Sequence, residues 1–309
     1  MISFIIPAYN EESNIAETIS SIIKNISKYK NNYPFEIIVI DDHSDDSTFK
    51  KVESLKESNI NCIRLSRRSG SHNAIRTGLV NAKGDAAICI SADGQDNPDA
   101  ICDMLSLWEQ GTHLVWALRY KRQEPLRIKL LAKIFYKLLS IASKSEGNQI
   151  DLSRADFYLL DRKVIDAVNS CPETNTSLFG LLVWLGFNQS YIEYERKERK
   201  HGKSKWNFKS RTKLAYDWII AFSGLPLKIM TYTGFCISLL GFLYALFIII
   251  YSLFGKPVQG WASTIVIILF IGGLQMIMLG IAGEYLWRNL DESRKRPIAF
   301  IEDKTSKDN

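Results

Sequence analysis

Residues 35–48 read Phe35-Glu36-Ile37-Ile38-Val39-Ile40-Asp41-Asp42-His43-Ser44-Asp45-Asp46-Ser47-Thr48. Phe35 to Ile40 reads as a strand, and its four β-branched residues in succession, Ile37 to Ile40, leave it no polar face, which fits a sheet covered on both sides. The chain then turns at once into a polar, acidic segment. The same order recurs on either side of it. Ile2 to Ile6 runs into Pro7-Ala8-Tyr9-Asn10-Glu11-Glu12, Asn61 to Leu65 into Ser66-Arg67-Arg68-Ser69-Gly70, and Ala86 to Ile90 into Ser91-Ala92-Asp93-Gly94-Gln95-Asp96, while Leu114 to Leu118 reads as a fifth strand. Between them lie helical patterns. Glu11 to Lys28 places Ile15, Ile19, Ile22, Ile23 and Ile26 at helical spacing, and 47–57, 73–82 and 98–110 are shorter versions. Strand–helix alternation of this kind predicts an α/β domain with a mostly parallel sheet and helices on both faces. Ligands of such sheets bind at the carboxyl ends of the strands. A single carboxylate there is ordinarily a helix cap, but four polar strand ends on one rim point to a site.

Further along, the 309-residue chain changes character. Its Lys and Arg total 39 against 33 Asp and Glu, and 46% of residues are apolar, which excludes a disordered or collagen-like chain. Residues 229–255 and 257–283 are two uncharged runs of 27, separated by Lys256. A helix of that length is ~40 Å long, more than the ~30 Å hydrocarbon core of a bilayer. The expectation is a polar domain (1–210), an interfacial juxtamembrane helix (211–228), a two-helix transmembrane hairpin (229–288, spans near 229–254 and 262–286) and a tail (289–309). Residues 196–213 carry nine Lys or Arg against Glu198 alone, and Arg288, Arg294, Lys295 and Arg296 follow the second run, whereas the connecting loop holds only Lys256. The excess of positive charge places both termini and the polar domain in the cytoplasm, with a multi-pass anchor in the plasma membrane. The N-terminal segment lacks the basic leader of a signal peptide. Trp206 and Phe208 lie within the basic stretch, but a basic, aromatic segment before a spanning helix reads as an anionic-lipid contact rather than a nucleic-acid site.

Several chemistries are excluded. The five cysteines are scattered and form no C-x-x-C pair, and the four histidines show no zinc spacing. No G-x-G-x-x-G occurs, and Gly202-Lys203-Ser204 lacks the upstream glycine of a phosphate loop, because Lys197 stands there. What remains is a rim with Asp41, Asp42, Asp93, Gln95 and Asp96, a set of hard oxygen donors suited to a divalent ion carrying a nucleoside diphosphate.

Taken in order, Pro7-Ala8-Tyr9-Asn10-Glu11, Asp41 to Thr48, Ser66 to Gly70, Ala92 to Pro98, Asp156 to Arg162 and Gly202-Lys203-Ser204-Lys205 resemble the motifs of family 2 glycosyltransferases, and most of all the polyprenyl-phosphate group. The resemblance runs over roughly residues 1–290. It implies a GT-A fold that moves a sugar, with inversion, from a nucleotide sugar, by default a UDP-sugar, to a polyprenyl phosphate in the membrane for cell-envelope decoration. By the same resemblance Pro7, Tyr9, Glu11, Asp41, Asp42 and Arg68 hold the nucleotide sugar. Asp93 and Gln95 ligate Mg2+ or Mn2+, with Asp93 counted as catalytic. Asp156 is the candidate base near the acceptor, and Arg199, Lys203, Ser204 and Lys205 meet its phosphate.

Three positions depart from the pattern. Ser91 stands where an Asp is common, Ser71 where a Lys is, and Tyr158 where an Arg is; Lys203, Arg154 or Arg68 could supply the missing cation. A phosphomonoester has its second pKa near ~6 and is largely dianionic at neutral pH, so it needs no base to attack. Asp156 then orients more than it abstracts a proton, against a reading in which it caps a helix starting near Asp161 or pairs with Arg154. Two rivals follow: a family 2 transferase with a saccharide hydroxyl acceptor, for which a base is indispensable, and a catalytically dead membrane adaptor suggested by Ser91. The glycines of the two apolar runs allow close helix contact within a hairpin or in a homo-oligomer. With no ionisable residue before Glu284 in either run, transport is disfavoured.

Overall fold

A computed structural model describes residues 1–29, 31, 33–55, 57–120, 155–171, 173, 176–195, 225–253 and 260–305. The elements run β1 (Ile2–Ala8), α1 (Ile15–Ile26), β2 (Phe35–Asp41), α2 (Thr48–Glu53), β3 (Ile60–Leu65), α3 (Ser71–Asn81), β4 (Ala86–Cys89), α4 (Ala100–Glu109) and β5 (Leu114–Arg119). They continue with β6 (Ala155–Asp161), α5 (Arg162–Ser170), α6 (Leu178–Trp184), β7 (Gln189–Tyr194), α7 (Leu225–Leu253), α8 (Trp261–Ser293) and β8 (Ile301–Lys304). The eight strands form one sheet in the order β7-β5-β6-β4-β1-β2-β3-β8. Pairs β1·β2, β1·β4, β2·β3 and β5·β7 are parallel, and β3·β8, β4·β6 and β5·β6 antiparallel. The sheet is mixed and mostly parallel, as the alternation predicts.

Successive strand residues face opposite sides, and both sides are covered. Phe4, Ile6, Ile37 and Val39 pack with Ile15, Ile19 and Ile22 of α1 and Met104 and Leu105 of α4. Ile5, Ile38 and Ile40 pack with Leu79 of α3, and the same layer takes in Ile165 of α5 and Leu181 of α6. Strands β1 to β5 fall within two residues of their sequence-based bounds. Strands β6, β7 and β8 were not expected as strands. The last of these takes up part of 289–309, so this segment is more than a tail.

α7 and α8 extend the apolar runs into helices of 29 and 33 residues. Among the described residues one stretch, Phe270–Ser293, is long and apolar enough to cross a membrane, and Ile229–Tyr244 is a shorter apolar stretch. Phe235, Phe242, Phe270 and Ile277 are each more than 60% exposed, and none of the described side chains of these helices is buried. The loop expected around Lys256 and most of the expected interfacial helix (211–228) lie outside the described residues.

Candidate functional site

Parallel pairing aligns the ends of β1 and β2, with Ala8 opposite Asp41 and Pro7 opposite Ile40, and β4 lies on the other side of β1. The polar segments that follow these strands therefore meet on one rim. After β1 the backbone turns through Asn10 at φ 52°, and after β2 through His43 at φ 58°. These left-handed residues fold the two loops against each other. The Asn10 N–H donates to Ser44 Oγ at 2.9 Å, the Asp45 N–H to Asn10 Oδ1 at 2.9 Å, and the Glu11 N–H to Thr48 Oγ1 at 3.0 Å. The Glu11 carboxylate, nearly buried, accepts from Asn14 Nδ2 at 2.7 Å.

Asp41, the last residue of β2, and Asp42, the next, have separate tasks. Asp41 is fully buried and accepts from the Ser44 N–H at 3.1 Å and from Arg64 Nη1 at 2.7 Å. Asp42 accepts the N–H groups of Ser69 and Gly70, at 2.6 and 2.9 Å, and so fixes the loop after β3 to the end of β2. Gly70, at φ 89°, lies just before α3 and has the backbone conformation that favours glycine. Burial pushes the Asp42 carboxyl above its usual range; the Ser69 and Gly70 N–H donors and the nearby Arg68 guanidinium pull it down, and Asp41 adds to the rise. From the same loop Arg68 lies over the Tyr9 ring, 4.1 Å from guanidinium carbon to ring centroid, and the Tyr9 hydroxyl donates to Asp45 at 3.3 Å. An aromatic face, a cation and a carboxylate thus meet in one place, the guanidinium held over the ring by a cation–π contact.

Beyond β4, Asp93 Oδ1 accepts from Ser91 Oγ at 2.9 Å and from the Gln95 N–H at 3.1 Å, and Gly94 turns through φ 69°. Asp96 is buried and accepts from the Ser91 N–H and from the Tyr194 hydroxyl of β7, and it shares the single Ser91 hydroxyl proton with Asp93. Asp96 is thus the internal anchor of this loop. Ser91 ties the loop together with its hydroxyl where the common Asp would bring a further negative charge. Thr18 of α1 donates to the Ala92 carbonyl at 3.1 Å, holding the β4 loop against the first helix. Among the described residues no group of three His, Cys, Asp or Glu side chains is placed to hold a metal by itself. Asp93 and Gln95 are the side chains of this loop that could hold a hard cation, one through a carboxylate and one through an amide oxygen, with water and diphosphate oxygens completing its shell.

Asp156 belongs to β6. Because β6 runs antiparallel to β4, with Cys89 opposite Tyr158 and Ala86 opposite Asp161, its amino end comes to the same rim as Ser91. Pairing with β5 slips between Ala117–Phe157 and Leu118–Ala155, so Asp156 is the extra residue of a bulge, a feature common beside active sites. The helix cap is Asp161, whose carboxylate accepts the Lys163 N–H at 2.9 Å. Tyr158 is buried against the rings of Trp116 and Phe179, a core position, and Ser71 is an exposed first residue of α3. Arg199, Lys203, Ser204, Lys205 and Arg154 lie outside the described residues. Ser44 and Thr48 lie within the quoted motif without a role of their own, and Arg64 was not expected at the rim; the lone Arg in the apolar run 60–65 was the available signal.

The model of Glycosyl transferase family 2 matches residues 3–168. An uncharacterized glycosyltransferase of Synechocystis sp. is 38% identical over 306 residues, covering 98% of this chain and 95% of that protein. The bactoprenol glucosyl transferase of Shigella phage SfV is 36% identical over 312 residues, covering 99% of each. Among solved structures, mannosyl-3-phosphoglycerate synthase from Rubrobacter xylanophilus superposes with a TM-score of 0.53 at 16% identity, over 72% of each chain. Glucosyl-3-phosphoglycerate synthase from Mycobacterium tuberculosis, in complex with Mn2+, UDP and phosphoglyceric acid, gives 0.50 at 17% identity, over 71% of this chain and 76% of that one. Those two likenesses establish the GT-A-like α/β fold. On the family match and on relatives aligned along their whole length, this chain belongs to glycosyltransferase family 2.

Proposed function

We propose that the chain transfers a sugar from a nucleoside diphosphate donor to a polyprenyl phosphate, with inversion, on the cytoplasmic leaflet. The observation that carries this reading is the rim itself: Tyr9, Arg68, Asp42 and Asp93 gather at adjacent strand ends, in a chain that continues into helices with exposed apolar surfaces. The full-length similarity to a phage bactoprenol glucosyl transferase supports the lipid acceptor.

In this reading the Tyr9 face and Arg68 receive the nucleoside, with Pro7 and Glu11 shaping the first loop and Asp41 and Asp42 holding the second and third in place. Asp93 and Gln95 would hold the divalent cation, Mg2+ or Mn2+, which when bound offsets charge on the departing diphosphate. Asp93 arrives at this task already oriented by Ser91 and the Gln95 N–H. Asp156 stands at the acceptor side, where it orients a lipid phosphate that is already dianionic at neutral pH. Arg199, Lys203, Ser204 and Lys205 are assigned to that phosphate. Both uncharged runs span the bilayer as a hairpin, α7 and α8, with the two termini cytoplasmic and the glycine-bearing faces available for a homo-oligomer.

Radiolabelled nucleotide sugars, UDP-glucose first, given to membranes containing the chain together with polyprenyl phosphate and MnCl2 test this reading. Labelled lipid product is expected from the wild type, and no lipid product from any common donor favours a binding-only adaptor. In the same assay Asp156→Asn is expected to lower the rate about tenfold or less, below the usual ~10²–10⁴-fold contribution of a general base. Near-complete loss indicates a hydroxyl acceptor instead.

A further inference from the structure

Strand β8 follows the apolar helix α8 and returns to the edge of the sheet, antiparallel to β3. The Ser66 N–H donates to the Phe300 carbonyl at 2.9 Å and the Thr305 N–H to the Cys62 carbonyl at 3.0 Å, so the pairing is anchored on both sides. Between these bonds the register slips. Arg64 lies opposite Asp303 and Leu65 opposite Ile301, which leaves Glu302 as the extra residue of a bulge. A bulge turns one side chain away from the regular alternation. Here that side chain meets Arg64, with Glu302 Oε2 at 3.1 Å from Arg64 Nε and 3.4 Å from His43 Nδ1.

Arg64 uses all three of its nitrogens. Nε faces Glu302, Nη1 donates to the buried Asp41 carboxylate at 2.7 Å and Nη2 to the Ser44 carbonyl at 3.0 Å. Ser44 in turn receives the Asn10 N–H of the first loop, and Asp42, next to Asp41, seats the Ser69–Gly70 loop. A planar guanidinium held on three sides is fixed in orientation, which a lysine in its place would not be. The carboxylate of the last strand therefore closes a chain of bonds that begins after the apolar helix and ends in the loops of the rim.

We propose that Glu302 is a positioning residue for nucleotide binding, and that β8 couples the membrane-side helix α8 to the donor rim through Arg64 and Asp41. The inference rests on the rim being a nucleotide site. Glu302 touches no substrate in this scheme; it holds Arg64, and Arg64 holds the Asp41–Ser44 turn. Its loss should weaken donor binding and leave turnover of bound donor unchanged.

The test uses the full chain in detergent. Binding of UDP, with GDP in parallel, is measured by calorimetry in MnCl2 for the wild type, Glu302→Ala, Glu302→Asp and Asp303→Ala, together with KM and kcat for transfer. Glu302→Ala is expected to raise Kd and KM roughly two- to fivefold, the scale of a partly exposed ion pair. kcat should stay at the wild-type value, Asp303→Ala should bind as wild type, and Glu302→Asp should recover part of the affinity. Equal affinity in Glu302→Ala and wild type, or a loss confined to kcat, overturns the proposal. If Glu302→Ala melts more than about 4 °C below wild type, a shift large enough to signal a loss of fold stability, Glu302→Gln replaces it. Weaker binding by that variant at unchanged melting then supports the role, and unchanged binding overturns it. A wild type that binds neither nucleotide removes the rim as their site and the positioning role with it; binding indifferent to residue 302 removes the positioning role alone.

Discussion

Asp42 shows what the rim costs the fold. Burial raises its carboxyl above the ordinary value of 3.8, although two backbone N–H groups and Arg68 favour the charged form. A group whose folded pKa is raised contributes stability fully below its unfolded value, and that contribution is lost as pH rises through the folded value. Charged Asp42 is therefore a burden on the neutral-pH fold, retained because its two oxygens seat the Ser69–Gly70 loop. The prediction is that the melting temperature of Asp42→Asn, relative to wild type, climbs as pH goes from about 4 to 7, while nucleotide affinity falls. A difference that stays constant over that range contradicts it. At this scale the sequence was informative wherever a side chain followed a β-branched run. Asp41, Asp42, Asp93 and Tyr9 were found that way. Arg64 and Glu302 were not, since one sits inside a strand and the other more than 230 residues away, and only the folded sheet brings them within 3.1 Å.

At the scale of elements, α3 carries the loop that Asp42 holds, and the fit of this helix on the sheet depends on Gly78. A Cβ built there would collide with Ile5 Cγ2 and lie 3.4 Å from Ile40 Cγ1. Gly78→Ala should then cost about 1–3 kcal/mol, as overpacking of a filled core does. Thermal melting in detergent is expected to show that loss, and an unchanged or higher melting temperature would refute the close approach. Strands β1 to β5 were legible because central strands, covered on both faces, need unbroken apolar runs. β6 carries such a run at Phe157–Leu160, but it sits inside a motif that drew attention to its polar ends. β7 and β8 are edge strands with half-exposed or exposed residues, Gln189 to Glu193 and Ile301 to Lys304. They owe their conformation to a partner strand more than to their own pattern. Both acidic bulges, at Asp156 and Glu302, belong to strands of this unexpected group.

On the scale of the whole molecule, the chain joins a sheet covered on both faces to helices α7 and α8, in which no described side chain is buried. A core helix of a soluble protein is mostly buried, and the described Phe270–Ser293 stretch is not. In the proposed topology the loop at Lys256 faces outward and both termini face the cytoplasm. With Cys236 replaced by serine, Lys256→Cys is expected to react with a membrane-impermeant maleimide on intact cells, and Asn309→Cys only after permeabilisation. Labelling of both or of neither on intact cells would refute the hairpin. Charge counts around the uncharged runs were enough to suggest this orientation, whereas strand β8, beyond the second run, had no such signal.

The central claim is that the rim and the apolar helices serve one reaction. Its most direct measurement is mass spectrometry of lipids from liposomes that hold the purified chain, polyprenyl phosphate, a nucleotide sugar and MnCl2. A polyprenyl-phosphate-sugar phosphodiester is expected with the wild type, and at least about 100-fold less with Asp93→Ala, on the scale of losing a principal charge-stabilising group. A sugar found on a hydroxyl acceptor, or phosphodiester formed equally well by Asp93→Ala, would contradict it.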